Sequence, residues 1–267
     1  MVTVRAYTAL AGAGFRRYST YRQATVGGAI ANTTFGFLRC YVLLSVAGSA
    51  GVLAGYDRAQ LATYVWLSQG LLAVVSAWGQ LDLADRVRSG EVVADLLRPI
   101  NPLTLYLFTD LGRAGFAMLT RFVVPVVVGL LAFDLYLPRQ PASYPLFLVS
   151  VLLATLIVFC CRYLVGLSAF WLLDVRGVVM TWTFLWGGAS GLYFPLPVLP
   201  RWVQLTLWIG TPFPSTLQAP LDIAVERGGF GHAGLAVLAQ LVWLAISLLV
   251  CRHVQRRAWR KLVIQGG

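Results

Sequence analysis

About six long apolar runs divide this chain, and a lipid bilayer is the solvent that suits them best. Hydrophobic residues make up 58% of the 267 residues and charged residues only 12%. Ordinary soluble domains are roughly 45–50% apolar and about 25% charged. A globular core cannot take up that much apolar surface, whereas lipid can. The sequence therefore predicts an all-α integral membrane protein with six transmembrane helices.

The predicted spans are bounded by polar turns and prolines. They cover about 26–54, 61–81, 103 or 114 to 137, 144–173, 178–194 and 233–250. Residues 1–25 carry aromatic residues at helical spacing beside clustered arginines, which predicts an amphipathic interfacial (elbow) helix. A frayed N-terminal tail is the alternative. Residues 26–254 then form one membrane domain, and residues 255–267 form a polar tail.

Basic residues are distributed unequally between the predicted loops. The side that holds both termini and the 82–102 loop carries about three times as many as the other side, which has only Arg58, Arg139, Arg201 and Arg227. Cytoplasmic loops are enriched in arginine and lysine, so both termini are predicted to be cytoplasmic. The large excess of arginine over lysine indicates a GC-rich bacterial genome, and hence the bacterial inner (cytoplasmic) membrane. The arginines punctuate apolar runs, which argues against nucleic-acid binding.

Prolines divide the apolar stretch at about 195–230 into pieces of about ten residues. Pieces this short cannot cross a bilayer. Apolar residues keep helical spacing from Trp202 to Trp208 and again from Leu217 to Val225. Two interpretations remain open. The pieces are re-entrant outer helices whose broken ends protein covers, or they form an amphipathic outer loop that rests on lipid.

Several kinds of chemistry need residues that this chain lacks. A Walker A motif needs a Gly-Lys-Ser/Thr step, and the only lysine is Lys261. If ATP and Mg²⁺ are used, another chain must bind them. All ten carboxylates fall in predicted loops or near span ends, which disfavours a carrier driven by protons or sodium. His232 and His253 lie at opposite ends of the last span, and the cysteines lack ligand spacing, so neither catalysis nor a metal site is predicted.

Three arginines, Arg39, Arg121 and Arg162, fall inside predicted spans. A charged side chain at the centre of a bilayer costs about 2.5–3.5 kcal/mol on the translocon scale. Each arginine is therefore expected to face protein, water or substrate. They line a route for an anionic or polar cargo, or they pair with carbonyl groups and nearby acids as structural residues.

The 82–102 loop contains a short amphipathic pattern at about 84–99. Its apolar residues share one face of a helix that also bears Glu91, Asp95 and Arg98, and Pro99 ends it. A cytoplasmic helix joined to two spans is well shaped to dock into a groove on a soluble partner. Lying on the membrane surface is the alternative.

An ordered set of short motifs runs along nearly the whole chain. It comprises the N-terminal segment, Arg88-Ser-Gly90-Glu91, Leu96-Leu97-Arg98-Pro99, Gly191-Leu-Tyr-Phe194-Pro195-Leu-Pro197, Leu199-Pro200, Thr211-Pro212-Phe213, Pro220 and Gly266-Gly267. This set resembles the membrane subunit of an ABC-2 type transporter, in the branch whose six-span permeases work with a separate ATPase.

The resemblance implies two sites. A coupling helix seated on the ATPase would use Arg88, Gly90, Glu91, Val93, Asp95, Leu97, Arg98 and Pro99. An outer gate of short re-entrant helices would use Phe194, Pro195, Pro197, Pro200, Pro212 and Phe213.

The resemblance also implies partners and an activity. Two permeases, identical or related, would pair in the bilayer above two ABC ATPase subunits that bind ATP and Mg²⁺. The expected function is export of an amphipathic or hydrophobic small molecule, such as a drug, an antibiotic or a lipid-like compound. An ion-coupled secondary transporter or channel is the alternative, and a membrane enzyme comes third.

Overall fold

A computed structural model describes residues 4–20, 22–48, 51–76, 78, 82–172 and 174–261. Its helices are α1 (Val4–Ser19), α2 (Arg22–Ala47), α3 (Arg58–Val75), α4 (Asp82–Arg88), α5 (Val92–Leu96), α6 (Pro102–Thr120), α7 (Val123–Ala132), α8 (Ser143–Leu167), α9 (Arg176–Ala189), α10 (Arg201–Gly210), α11 (Gln218–Ala224) and α12 (Gly229–Trp259). A two-residue hairpin of β1 (Val52–Leu53) and β2 (Tyr56–Asp57) precedes α3. The prediction of an essentially all-helical membrane protein is confirmed.

Among the described residues, four helical segments are long and apolar enough to cross a membrane. They are Thr25–Ala47, Pro102–Ala132, Ser143–Phe170 and Gly229–Trp259. The predicted count of six would also need α3, with 18 residues, and α9, with 14. At 1.5 Å per residue α9 is only about 21 Å long, shorter than the roughly 30 Å hydrocarbon layer.

Several predicted span ends are wrong. The first span was expected to reach residue 54, but α2 ends at Ala47 and a hairpin follows. Glycines with positive φ at 48, 51 and 55 turn the chain there, a conformation that glycine adopts without steric cost. The fifth span was expected to reach residue 194, but α9 ends at Ala189, just before Gly191 at φ 90°.

Helix α3 is the centre of the fold. An Asp57–Gln60 capping box begins it, and 13 of its 18 residues are buried. Trp66 fills the space between α2 and α7, where Gly36 and Gly129 leave room for the indole. The membrane domain is therefore built around α3 although its own hydropathy is modest.

The third span is bent at its middle. Asn101 caps α6, and its side chain accepts a hydrogen bond of 2.9 Å from the Leu103 amide. The helix stops at Thr120 and resumes as α7 at Val123. Pro125 lacks the amide that would bond the Arg121 carbonyl, which accounts for the interruption.

The N-terminal helix α1 packs along α6. Tyr7 stacks on Phe108 with ring centroids 4.7 Å apart, and Phe15 meets Phe116 edge-on at 5.4 Å. The two backbones approach closely at Gly112, where an added Cβ would overlap the Ala11 carbonyl oxygen. Residues 1–25 thus contain a helix, as expected, although α2 already begins at Arg22.

The proline-rich 195–230 segment contains two short helices with opposite environments. None of the ten described residues of α10 is buried, and Trp202 and Ile209 are largely exposed. All seven residues of α11 are buried, among α3, α8 and α12. The segment is therefore not uniform, because protein encloses α11 whereas α10 lies on the surface.

The elements converge at two ends. At the first, called here the basic end, Arg17 of α1 pairs with Asp82 of α4 at 2.6 Å, and the last turns of α12 pack with α4 and α5. The opposite end holds the hairpin, the 133–142 loop and the residues that follow α11. The predicted Gly266-Gly267 motif lies outside the described residues.

Candidate functional site

The predicted coupling segment consists of two helices. A single helix over about 84–99 was expected, but Gly90 at φ 78° separates α4 from α5. Only glycine adopts this conformation without strain, so the helix is broken at that residue. The segment is an elbow-shaped projection at the basic end.

Asp95 attaches α5 to α6. Its carboxylate forms an ion pair with Arg86 Nε at 2.7 Å and accepts a hydrogen bond from the Tyr106 hydroxyl at 2.8 Å. The residue is only 1% exposed. Beside it Val92 is buried in a cluster with Leu83 and Leu103. Asp95 was predicted to contact a partner protein but lies inside the projection. The sequence did not predict that Arg86 and Tyr106 contact it.

The other predicted coupling residues lie on the outer side of the projection. Glu91 has a side chain 66% exposed, and Leu97 is 81% exposed. Exposed Arg98 and Pro99 border a groove of about 460 Å³ whose far wall is Trp259 of α12. Arg88 and Gly90 are exposed as well, and Val93 is half-buried. The projection therefore offers acidic, apolar and basic groups together with a groove.

Arg39 joins three elements within the membrane domain. Its guanidinium donates to Ser68 Oγ at 2.9 Å and to the Leu192 carbonyl. Arg39 lies on α2, Ser68 on α3, and Leu192 just after α9. These bonds satisfy a charge in mid-span, as the structural interpretation expected.

Arg162 pairs with a nearby acid, as the structural interpretation of the membrane arginines allowed. It lies 3.1 Å from Asp110, which also pairs with Arg113 at 2.6 Å. Arg113 further donates to the carbonyls of Ala73 and Val74 at 2.7 and 3.0 Å. Asp110 was expected near a span end, and this is wrong, because it lies well inside α6 with a side chain only 11% exposed.

Arg121 lies apart from the other two arginines. Its guanidinium contacts α2 at Gly28, where a Cβ would overlap it. It lines a cavity of about 450 Å³ together with Arg17 and Arg113. The three predicted path residues therefore occupy three separate places, and only Arg121 faces this cavity.

A buried polar cluster holds the outer segment. Gln218 at the start of α11 donates to Asp222 and to the Tyr56 hydroxyl, both at 2.8 Å, and its oxygen accepts from the Tyr64 hydroxyl and the Leu196 amide. Tyr56 also donates to Asp222. This cluster connects the hairpin, α3, the turn after α9 and α11. Asp222 is thus buried, as Asp95 is, and its partners were not predicted from the sequence.

The predicted outer-gate residues surround this cluster. Pro195 is buried and Pro200 is the N-cap residue of α10. Phe213 packs on Trp182 of α9 with ring centroids 5.6 Å apart. Phe194, Pro197 and Pro212 are half-buried. These residues begin and end the short helices, so the prolines fix where the segment turns.

A comparison with protein families gives a match to the model described as ABC-2 family transporter protein, over residues 30–266. The chain belongs to this family. A comparison with curated proteins gives no significant match. The resemblance inferred from the ordered motifs is thus confirmed, and the ABC-2 protein is a multi-pass membrane protein.

An outer clamp in the ABC-2 protein is formed by Glu226. Its carboxylate accepts from the Tyr136 hydroxyl at 2.6 Å, from Ser143 Oγ at 2.7 Å and from the Gln140 and Arg139 amides at 2.8 and 3.1 Å. Desolvation opposes ionisation, but these four donors outweigh it and lower the pKa of Glu226 to about 2. The clamp ties the end of α11 to the 133–142 loop.

Proposed function

We propose that the chain is the transmembrane permease subunit of an ABC exporter. It moves an amphipathic or hydrophobic small molecule, such as a drug, an antibiotic or a lipid-like compound, out of a bacterial cell across the inner membrane. ATP is hydrolysed, with Mg²⁺, by a separate ATPase subunit. Family membership supports the class, and the absence of any lysine before Lys261 in the sequence supports a separate ATPase.

The observation that carries this proposal is the attachment of the α4–α5 projection by Asp95. A segment that transmits force must be firmly attached on the face that packs against the membrane domain, and its opposite face must be accessible to a partner. Asp95, Val92 and Tyr106 supply the inner attachment. The accessible face carries an acidic group, Glu91, an apolar group, Leu97, and the groove beside Trp259. In the proposal this surface sits on the ATPase in the cytoplasm, and closure of the nucleotide domains displaces it.

Alternating access needs two arrangements that ligand binding biases. In the proposal α3 and α9 complete a six-span subunit, with both termini cytoplasmic. A second permease, identical or related, pairs with it in the bilayer. The enclosed helix α11 and the surface helix α10 cap the exit on the outer side. The enclosure of α11 and the Gln218 cluster support this role, since they position the segment at the end opposite to the projection.

The test is purification of the chain from its native host in mild detergent, followed by reconstitution. An ATPase with Walker motifs is expected to copurify. Glu91→Arg is expected to weaken that association and to remove stimulation of ATP hydrolysis by cargo. Asp134→Arg, an exposed charge reversal in the loop after α7, is the matched control and should leave both unchanged. Repeated purification without any nucleotide-hydrolysing protein would contradict the proposal.

The alternative of an ion-coupled carrier is favoured by one observation, the buried carboxylate of Asp222 in contact with Tyr56 and Gln218. Buried acids in membrane domains commonly carry coupling ions. Reconstitution of this chain alone separates the two functions. Flux driven by a proton or sodium gradient without ATP, and lost in Asp222→Asn, would establish the carrier.

A further inference from the structure

A cavity of about 450 Å³ lies where α1, α2, α3 and α6 meet near the basic end. Its polar wall carries the side chains of Arg17, Arg113 and Arg121. Its other walls include Leu72, Phe116 and further apolar or aromatic residues. The lining thus combines cationic side chains with apolar and neutral polar ones, and the volume falls within the range of small-molecule sites.

The charges around the cavity do not balance. The lining residues that the structure describes include no carboxylate. Arg17 is paired with Asp82, but Arg113 and Arg162 share the single carboxylate of Asp110. Arg121 is a third arginine in the lining. In a low-dielectric site, arginine side chains attract an anion far more strongly than they would in water.

The position of Arg121 depends on glycine at residue 28. The guanidinium rests against the α2 backbone at Gly28, in space that a Cβ would occupy. Gly27 has nothing within 4 Å of the position where its Cβ would be. The two adjacent glycines therefore provide a test that moves the arginine without removing its charge.

We propose that this cavity binds the anionic headgroup of an amphiphile, a phosphate or a carboxylate, with the apolar tail along the Phe116 side. Arginine suits this role, because its planar guanidinium donates paired hydrogen bonds to these anions. The amphiphile is either an anionic lipid or the transported molecule. Its identification as cargo rests on the proposed export function, whereas the binding site itself does not.

The first experiment measures equilibrium binding of radiolabelled dodecyl phosphate to the purified full chain in dodecyl maltoside micelles. Saturable binding is expected, with little competition from dodecyltrimethylammonium. Arg121→Gln should weaken binding about tenfold or more, because a hydrogen bond to a charged group is lost. Arg121→Lys should retain part of the affinity. Arg16→Gln, an exposed arginine on the surface of α1, is the charge-matched control and should bind like the parent chain.

A second pair of variants separates displacement of the Arg121 guanidinium from loss of the fold. Gly28→Ala is expected to displace the Arg121 guanidinium and weaken binding, whereas Gly27→Ala should not. Circular dichroism and thermal unfolding confirm that each variant is folded. The proposal is overturned if binding is not saturable, if the cationic amphiphile competes equally, or if folded Arg121→Gln and Gly28→Ala both bind like the parent.

A third experiment separates the two sources of the amphiphile. Phosphatidylglycerol retained from nanodiscs in an Arg121-dependent manner, with phosphatidylcholine not retained, identifies a bound anionic lipid. ATP-dependent export of dodecyl phosphate by the complex with its ATPase, lost in Arg121→Gln, identifies cargo. Either result supports the headgroup site. Because the binding measurement uses this chain alone, its failure would leave the ATPase proposal intact, and failure to find an ATPase would leave the binding result intact.

Discussion

Replacing Asp95 with asparagine should loosen the α4–α5 projection while leaving the membrane domain folded. Asp95 is buried; it forms an ion pair with Arg86 at 2.7 Å and accepts a hydrogen bond from Tyr106 at 2.8 Å. Asparagine keeps an acceptor for the tyrosine hydroxyl but loses the charge that holds the guanidinium. The projection should therefore open more often, and the remaining helices should not.

The size of the effect follows from the exposure of the pair. Breaking a fully buried ion pair costs about 3–5 kcal/mol, but the Arg86 side chain is 30% exposed and water screens it. Fully exposed ion pairs contribute only about 0–1 kcal/mol, so this half-screened pair lies between the two limits. A loss of about 2 kcal/mol is expected, which increases the open population about thirtyfold.

Hydrogen–deuterium exchange followed by peptide mass spectrometry measures this opening directly. Exchange in peptides covering residues 82–98 should accelerate about thirtyfold in Asp95→Asn, and peptides from α3 should be unchanged. Glu91→Gln is the matched control, because Glu91 is exposed and its contact with Arg86 is 3.9 Å long. It should change exchange by about twofold or less. Equal exchange in Asp95→Asn and the parent protein would refute the attachment role of Asp95.

Three further predictions concern other contacts. Gly112→Ala should release α1 and cost about 1–3 kcal/mol of stability, because its Cβ would overlap the Ala11 carbonyl, whereas Gly115→Ala has open space and should be neutral in thermal unfolding; equal melting would contradict the contact. Gln218→Leu should cost about 1–3 kcal/mol for each buried group left unsatisfied, and an unchanged unfolding midpoint would contradict the cluster. Glu226→Gln should lower the melting temperature at neutral pH, and the difference should shrink as the pH falls from about 4.5 to about 2, because the depressed pKa stabilises the fold only while the carboxylate is charged; a difference independent of pH would contradict the clamp.

The apolar pattern predicted the helices well because a membrane helix needs a long uninterrupted run. It predicted their ends poorly. Gly48 and Gly191 lie inside apolar stretches, and their positive φ angles end the regular structure earlier than hydropathy indicates. The break at Gly90 is of the same kind. Glycine in a helical pattern is ambiguous, since it is tolerated in many helices.

The buried acids were the larger error, and its cause is physical. Asp110 was placed near a span end, and Asp222 was placed in the 195–230 segment with no partner, because the sequence records separation along the chain and not the contacts that form in space. Asp110 is stabilised by Arg162, which is 52 residues away. Asp222 is stabilised by Tyr56, which is 166 residues away. Local spacing offers a weaker signal, as in Asp110–Arg113, three residues apart, and Gln218–Asp222, four residues apart.

The two ends of the molecule are connected through α3. At its C-terminal turn the carbonyls of Ala73 and Val74 accept from Arg113 of α6, the helix to which Asp95 attaches the projection. In its N-terminal half Tyr64 donates to Gln218, at the start of the outer helix α11. Between these contacts α3 is buried, contains no proline, and has Phe122 packed against its one glycine, Gly70. A helix with these properties resists bending. If the projection is displaced and α6 moves with it, one of two changes must follow. Either the Arg113 bonds to α3 break, or α3 moves and carries the Gln218 cluster with it. In the proposed exporter, this route would connect a force applied to the projection with the Gln218 cluster at the opposite end.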